Sequence, residues 1–140
     1  MKKDLFKKTV ACLSDNERKA LKELKERINE KYPETELILY GSKARGDYHK
    51  YSDLDVLVLI NGNIGKEIEE YYVDLYDGEQ IKVIGVVNGI KKEIRDIAYD
   101  IELDYDVVIG LIIEYDYYWN NGPITHWPFH ENVDKDGISL

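Results

Sequence analysis

The chain has 140 residues, of which 44% are hydrophobic and 34% are charged, a composition typical of one globular domain. Its net charge of −9 argues against a surface that binds nucleic acid nonspecifically, because such surfaces are basic. No apolar run approaches the roughly 20 residues that span a bilayer, and the start lacks the apolar core of a secretory signal. We therefore expect a single cytoplasmic domain over residues 1–140, in which the lone Cys12 stays reduced.

The N-terminal part predicts a helix. Ser14 and Glu17 have the spacing of a capping box, and apolar residues at helical spacing follow them. The helix should end at Tyr32-Pro33, because the residue before a proline avoids helical geometry. Residues 1–33 thus form a predicted N-terminal helical segment.

A turn between two apolar runs is the first candidate binding feature. Leu37 to Tyr40 predicts a short buried strand, and Gly41-Ser42 follows it and opens a short helix ending near Gly46. Glycine lets the backbone approach a phosphate closely, and serine can donate a hydrogen bond to it. Arg45 could hold a phosphate, pair with a neighbouring carboxylate, or be a surface charge. Alone, a Gly-Ser turn is more often structural than functional.

Two aspartates further along the chain favour the functional interpretation of this turn. Asp53 and Asp55 open the second apolar run, which continues to Ile60 and predicts a strand. Side chains two residues apart on a strand share a side, so the carboxylates lie about 6–7 Å apart and repel each other unless a cation intervenes. Mg²⁺ takes oxygen ligands of this kind, usually together with substrate phosphates. Turn and carboxylates together indicate chemistry on a nucleoside triphosphate.

The stretch from residue 64 to 88 fits two structures. Its apolar residues can be arranged on one helix face, yet two β-prone runs also flank Asp77-Gly78 as in a hairpin. Tyrosine and β-branched residues favour the hairpin.

The remaining pattern completes an α/β (α+β) domain. Apolar residues from Ile90 to Ile101 mark an amphipathic helix, and Tyr105 to Ile113 predicts a further buried strand. The aromatic tail, residues 114–140, should pack on the domain as short helical pieces. We expect a small mixed sheet with helices packed on one face.

A third carboxylate is needed if two metal ions are to be held about 3.5–4 Å apart. Asp106 begins the apolar run of the last predicted strand, as Asp55 precedes its own, and it is preferred here over Asp104. The acidic candidates ahead of that strand are Asp100, Glu102, Asp104 and Asp106. His126 and His130 have the i, i+4 spacing of metal ligands, but Pro128 interrupts a helix between them. We interpret both histidines as structural or surface residues.

The run Gly-Ser-Lys-Ala-Arg-Gly at 41–46, followed by Ser-Asp-Leu-Asp at 52–55, resembles the signature of the minimal nucleotidyltransferases. These proteins belong to the DNA polymerase β-like nucleotidyltransferase superfamily. The resemblance implies that Gly41 and Ser42 hold the triphosphate of ATP and that Asp53, Asp55 and Asp106 bind Mg²⁺.

The resemblance also implies a partner. Such proteins often act as antitoxins that transfer AMP to a tyrosine of a ribonuclease toxin of the HEPN family. Two alternatives stay open: an antitoxin that neutralises its toxin by contact without catalysis, and a transferase that modifies small molecules such as aminoglycosides. The base preference and the oligomeric state do not follow from the sequence.

Overall fold

Two long helices and a five-stranded sheet form the domain in a computed structural model, which describes residues 3–4, 13–47, 52–62, 68–86 and 89–140. Among the helices in these ranges, none combines the length and the apolar character of a membrane span. The elements in chain order are β1 (Lys3–Asp4), α1 (Asp15–Lys31), β2 (Glu36–Tyr40), α2 (Ser42–Arg45), β3 (Leu54–Ile60), β4 (Ile68–Asp74), β5 (Gln80–Val86), α3 (Gly89–Tyr105), β6 (Ile109–Tyr115), α4 (Asp116–Asn121), a 3₁₀ helix (Pro123–His126), α5 (Pro128–Asp136) and β7 (Ile138–Ser139).

The main sheet is mixed, with the strand order β1-β7-β2-β3-β6. Strand β2 runs antiparallel to β3 and β7, whereas β3 and β6 run parallel. A parallel pair needs a crossover connection, and α3 lies in the chain between β3 and β6. The predicted α/β fold with a small mixed sheet is confirmed.

Alternation along the strands divides the core between the two faces of the sheet. On one face, Leu39, Val56 and Ile113 pack with the buried residues of α1 and α3. On the other face, Leu57 forms a smaller cluster with side chains from the C-terminal segment, including Trp119. The central strand β3 is therefore covered on both sides, which explains its nearly continuous apolar sequence and corrects the expectation that helices pack on one face only.

The first helix begins as its sequence predicts. The Glu17 backbone N–H donates to Ser14 Oγ over 3.1 Å, and the Ser14 N–H donates to Glu17 Oε1 over 3.0 Å. This reciprocal pair is the predicted capping box, which is confirmed. Glu17 also forms an ion pair with the buried Lys43, at 3.1 Å from Oε2 to Nζ. The same carboxylate thus joins the start of α1 to α2.

The ambiguous stretch is a hairpin. Strands β4 and β5 pair antiparallel as a separate two-stranded sheet, and Gly78 adopts a φ of +86° in the turn between them. A residue at positive φ favours glycine, which makes Asp77-Gly78 an effective turn sequence. The hairpin interpretation is confirmed for residues 68–86, while residues 63–67 and 87–88 lie outside the described ranges.

The predicted start of the last long strand is wrong by four residues. Tyr105 still belongs to α3, and β6 begins only at Ile109. Asp106 has a φ of +51°, and the Val107 N–H donates to the Glu102 carbonyl oxygen over 3.3 Å. Left-handed backbone angles at one residue, with a hydrogen bond from the next N–H back to the last turn, are typical of the C-terminal end of a helix. Asp106 therefore lies in a turn and not on the strand.

The C-terminal segment contains the expected short helices, but it also contributes a strand. Ile138 and Ser139 pair antiparallel with Leu39 and Ile38 of β2. A strand of two residues is too short to show a period in the sequence, so pattern analysis misses it.

We predict that Ile101→Ala lowers the free energy of unfolding by about 2–5 kcal/mol, because it leaves a cavity between α1, α3 and the sheet. Ile101 is fully buried, whereas Leu103 on the same helix is 66% exposed. The matched control Leu103→Ala should change stability by no more than about 0.5 kcal/mol. Urea unfolding of both variants measures the difference, and equal losses would contradict the assigned orientation of α3.

Candidate active site

The site forms where β2, β3 and β6 lie side by side. Asp55 is the second residue of β3, and its neighbours across the ladders are Tyr40 on β2 and Gly110 on β6. Asp53 lies just before the strand and is exposed, whereas the Asp55 side chain is half-buried. Both aspartates therefore lie at the start of a buried strand, with Asp53 one residue ahead of it and not on it.

The Gly41-Ser42 turn lies directly against Asp55. Gly41 follows β2, has a φ of +75°, and precedes the first residue of α2. A Cβ atom built on Gly41 would overlap with Asp55 Oδ2. Two reasons thus require glycine here: the left-handed backbone and the close approach of the carboxylate.

The electrostatics of Asp55 reflect burial next to like charge. Burial is the main cause that raises the pKa of the Asp55 carboxyl above its usual value, and repulsion from Asp53 adds to it. Attraction from Arg45 acts in the opposite direction. On the adjacent strand, burial and the charge of Asp55 raise the pKa of Tyr40 to about 12, so its hydroxyl keeps its proton at neutral pH. A cation near Asp55 would relieve the repulsion.

Arg45 lies at the exposed rim of this site. Its Nε donates to Asp47 Oδ2 over 3.1 Å, and this hydrogen bond is the largest cause that raises the pKa of Arg45. The guanidinium also feels the charges of Asp55 and Asp136. Arg45 is thus close enough to influence Asp55, while its nearest hydrogen-bonding partner is Asp47.

Asp106 shares a cleft with Asp53. The cleft has a volume of about 350 Å³, and its lining includes the first turn of α1, the buried Lys43 and the segment that precedes β6. Asp55 is not among its lining residues. The described residues contain no group of three or more acidic, histidine or cysteine side chains placed to hold one metal ion. Asp106 as a third ligand therefore stays a prediction, and so does its preference over Asp104.

His130 has a structural role, as expected. Its ring stacks on Trp119 at 4.3 Å between centroids, and Nε2 lies 2.9 Å from the Trp119 carbonyl oxygen. Nδ1 is 3.4 Å from Asp134 Oδ2. His126 is an exposed residue of the 3₁₀ helix.

Sequence reasoning overlooks two neighbours of Asp55. Tyr40 reads as the end of an apolar run, and only the register of β2 against β3 brings it beside the carboxylate. Gly110 does leave a signal, because an isolated glycine within a strand indicates a bulge or a close approach of another group. It interrupts the apolar residues 107–113.

Comparison with known proteins defines the class to which this site belongs. Residues 21–115 match the family model of the nucleotidyltransferase domain. The chain is also 32% identical to a proposed protein adenylyltransferase of Methanocaldococcus jannaschii, over 89% of this chain and 98% of that protein. No solved structure shows a significant match.

The chain belongs to the nucleotidyltransferase domain family, and it is a nucleotidyltransferase. The resemblance of residues 41–46 and 52–55 to the minimal nucleotidyltransferases is thereby confirmed.

We predict that Asp55→Asn raises the melting temperature of the metal-free protein at neutral pH. The folded pKa of Asp55 is raised, so its contribution to stability is fully present below the unfolded pKa and is lost as pH rises through the folded pKa. The advantage of the variant should therefore grow as the pH rises above about 4, the usual value of a carboxyl group, and level off above the folded pKa of Asp55.

The comparison with Asp53→Asn tests the cause. That variant should keep most of the pH dependence, because burial of Asp55 is the larger cause and persists in it. Thermal unfolding across this pH range provides the measurement. An Asp55→Asn protein that is less stable than wild type at neutral pH would show that the Asp55 carboxylate does not destabilise the folded protein.

Proposed function

We propose that this chain transfers AMP from ATP to an acceptor hydroxyl, with a tyrosine of a HEPN-type toxin as the acceptor, and that it acts as an antitoxin. The observation that supports this most directly is the close approach of the Asp55 carboxylate to Gly41, where a Cβ atom would overlap with Asp55 Oδ2, together with the nearby charge of Asp53. A phosphate-binding turn and a carboxylate pair must adjoin for one nucleotide to reach both.

The residues at the start of β3 fit a divalent cation. Asp53 and Asp55 supply only oxygen ligands, which suits Mg²⁺. Burial raises the pKa of Asp55 and repulsion from Asp53 adds to it, so a positive ion between the two carboxylates would be stabilising. Mg²⁺ bound to these two carboxylates would neutralise part of the triphosphate charge.

The turn and Arg45 are assigned to the phosphates. Gly41 allows a phosphate oxygen to approach the backbone, and Ser42 offers a hydroxyl and an N–H group. Arg45, at the exposed rim, adds positive charge close to Asp55, which would attract the triphosphate. Its hydrogen bond to Asp47 orients the guanidinium while leaving its other N–H groups as donors.

In the transfer itself, the acceptor oxygen forms a bond to the α-phosphorus. The bond from that phosphorus to the bridging oxygen breaks, and pyrophosphate leaves with the electron pair. Asp106 accepts the proton of the acceptor hydroxyl, a role that its exposed position in the cleft of Asp53 allows. No covalent intermediate with the protein is required, because positioning and charge stabilisation suffice.

A protein acceptor is favoured over a small molecule by two observations. The relative from Methanocaldococcus jannaschii carries the name of a protein adenylyltransferase. In addition, the β4–β5 hairpin exposes apolar side chains, among them Tyr72, Tyr76 and Ile81. Exposed apolar groups of this kind are typical of surfaces that contact other proteins.

We predict that Asp53→Asn and Asp55→Asn each lower the rate of adenylyl transfer by at least about 100-fold, the loss expected for a single electrostatic stabiliser. The measurement is Mg²⁺-dependent release of pyrophosphate from ATP in the presence of the acceptor. Full activity in Asp55→Asn would remove that carboxylate from the mechanism.

The role of Asp106 as proton acceptor can be tested with a matched pair of variants. Asp106→Asn should lower kcat by about 100-fold or more, because it removes the proton acceptor. Asp104→Asn removes an exposed carboxylate two residues away and should leave kcat unchanged. The opposite result would assign the role to Asp104.

The acceptor can be identified with ATP labelled on the α-phosphate. The protein is incubated with Mg²⁺, labelled ATP and a lysate divided into protein and low-mass fractions. We expect label on a tyrosine of one protein, located by mass spectrometry. Label on low-mass compounds alone would support a small-molecule transferase, and toxin neutralised by the Asp53→Asn/Asp55→Asn double variant would support a binding antitoxin.

A further inference from the structure

A second glycine confines the Asp55 carboxylate from the side opposite to Gly41. Gly110 pairs with Asp55 in the parallel register of β3 and β6. A Cβ atom built on Gly110 would lie 2.8 Å from Asp55 Oδ1 and 3.9 Å from Asp55 Cγ. Because Gly41 faces Oδ2, each oxygen of the carboxylate lies against a different glycine.

The backbone does not explain why position 110 is glycine. Gly41 has a positive φ and would favour glycine for that reason alone, but Gly110 has no such φ. A glycine within a strand costs stability, and its neighbours Ile109 and Leu111 are side chains that suit a strand. The absence of a side chain at position 110 leaves space, and Asp55 Oδ1 occupies it.

We propose that Gly110 is a positioning residue, which keeps the Asp55 carboxylate in the orientation that binds a divalent cation. This inference rests on the proposed role of Asp55 as a cation ligand. A methyl group at position 110 would rotate the carboxylate away or separate β6 from β3. In either case the geometry of the ligand pair at Asp53 and Asp55 changes.

The test is cation binding by Gly110→Ala, with Mn²⁺ as a spectroscopic substitute for Mg²⁺. Electron paramagnetic resonance counts the free Mn²⁺ without any need for turnover. We expect the affinity to fall about 10- to 100-fold, as for other residues that orient a metal ligand. The matched control is Gly89→Ala, since a Cβ atom on this glycine at the start of α3 would meet no atom within 4 Å. It should bind Mn²⁺ like the wild type.

A double-mutant cycle separates positioning from a general structural effect. In an Asp55→Ala background, Gly110→Ala should cause no further loss of Mn²⁺ affinity, because the side chain on which it acts is gone. If Gly110→Ala alone does not fold, the double variant should fold again. A double variant that stays unfolded, or that loses further affinity, overturns the proposal.

The outcomes distinguish this inference from the proposed function. Gly110→Ala with wild-type Mn²⁺ affinity overturns the positioning role of Gly110 and leaves the transferase mechanism intact. A wild-type protein that binds no Mn²⁺ overturns both the positioning role and the assignment of Asp55 as a ligand. Reduced Mn²⁺ affinity in Gly110→Ala, together with full transfer activity in Asp55→Asn, supports the positioning role and overturns the proposed mechanism.

Discussion

The organisation of the site depends on one charged side chain held at the edge of a hydrophobic sheet. The Asp55 carboxylate is half-buried, and glycines of the two flanking segments lie against its two oxygens. Burial of a carboxylate is unfavourable, and the nearby Asp53 increases the cost. Such a group persists only where the surrounding structure leaves it no alternative position. Here the antiparallel ladder to β2 and the parallel ladder to β6 impose that constraint together.

Packing in the rest of the domain stabilises the fold and offsets the cost of burying the Asp55 carboxylate. Strand β3 is covered on one face by α1 and α3 and on the other by the C-terminal segment with Trp119. The ion pair between Glu17 and the buried Lys43 attaches the short helix after the Gly-Ser turn to the capped start of α1. Breaking a buried pair is strongly destabilising, so this contact restricts movement of the turn relative to the sheet. A nucleotidyltransferase benefits from such rigidity, because its catalysis relies on positioning.

Local signals were reliable where a few neighbouring residues decide the structure. The capping box at Ser14 and Glu17 and the turn at Asp77-Gly78 need only short-range hydrogen bonds or a positive φ, and both formed as predicted. Asp106 shows the limit of this approach. The apolar run after Asp106 predicts a strand that starts at once. Instead, Asp106 adopts left-handed backbone angles in the turn that ends α3. Where a helix ends depends on how it packs, which the hydrophobic period does not report.

The sequence by itself determined the class of the domain and the residue types of its site. Period-two and period-3.6 patterns reflect burial along one element, and residues 41–46 and 52–55 carry the family signature within a short stretch of chain. Only the tertiary structure decided which residues surround Asp55, because Tyr40 and Gly110 reach it through strand register. Register depends on how whole strands align across the sheet, so no local window of sequence contains it.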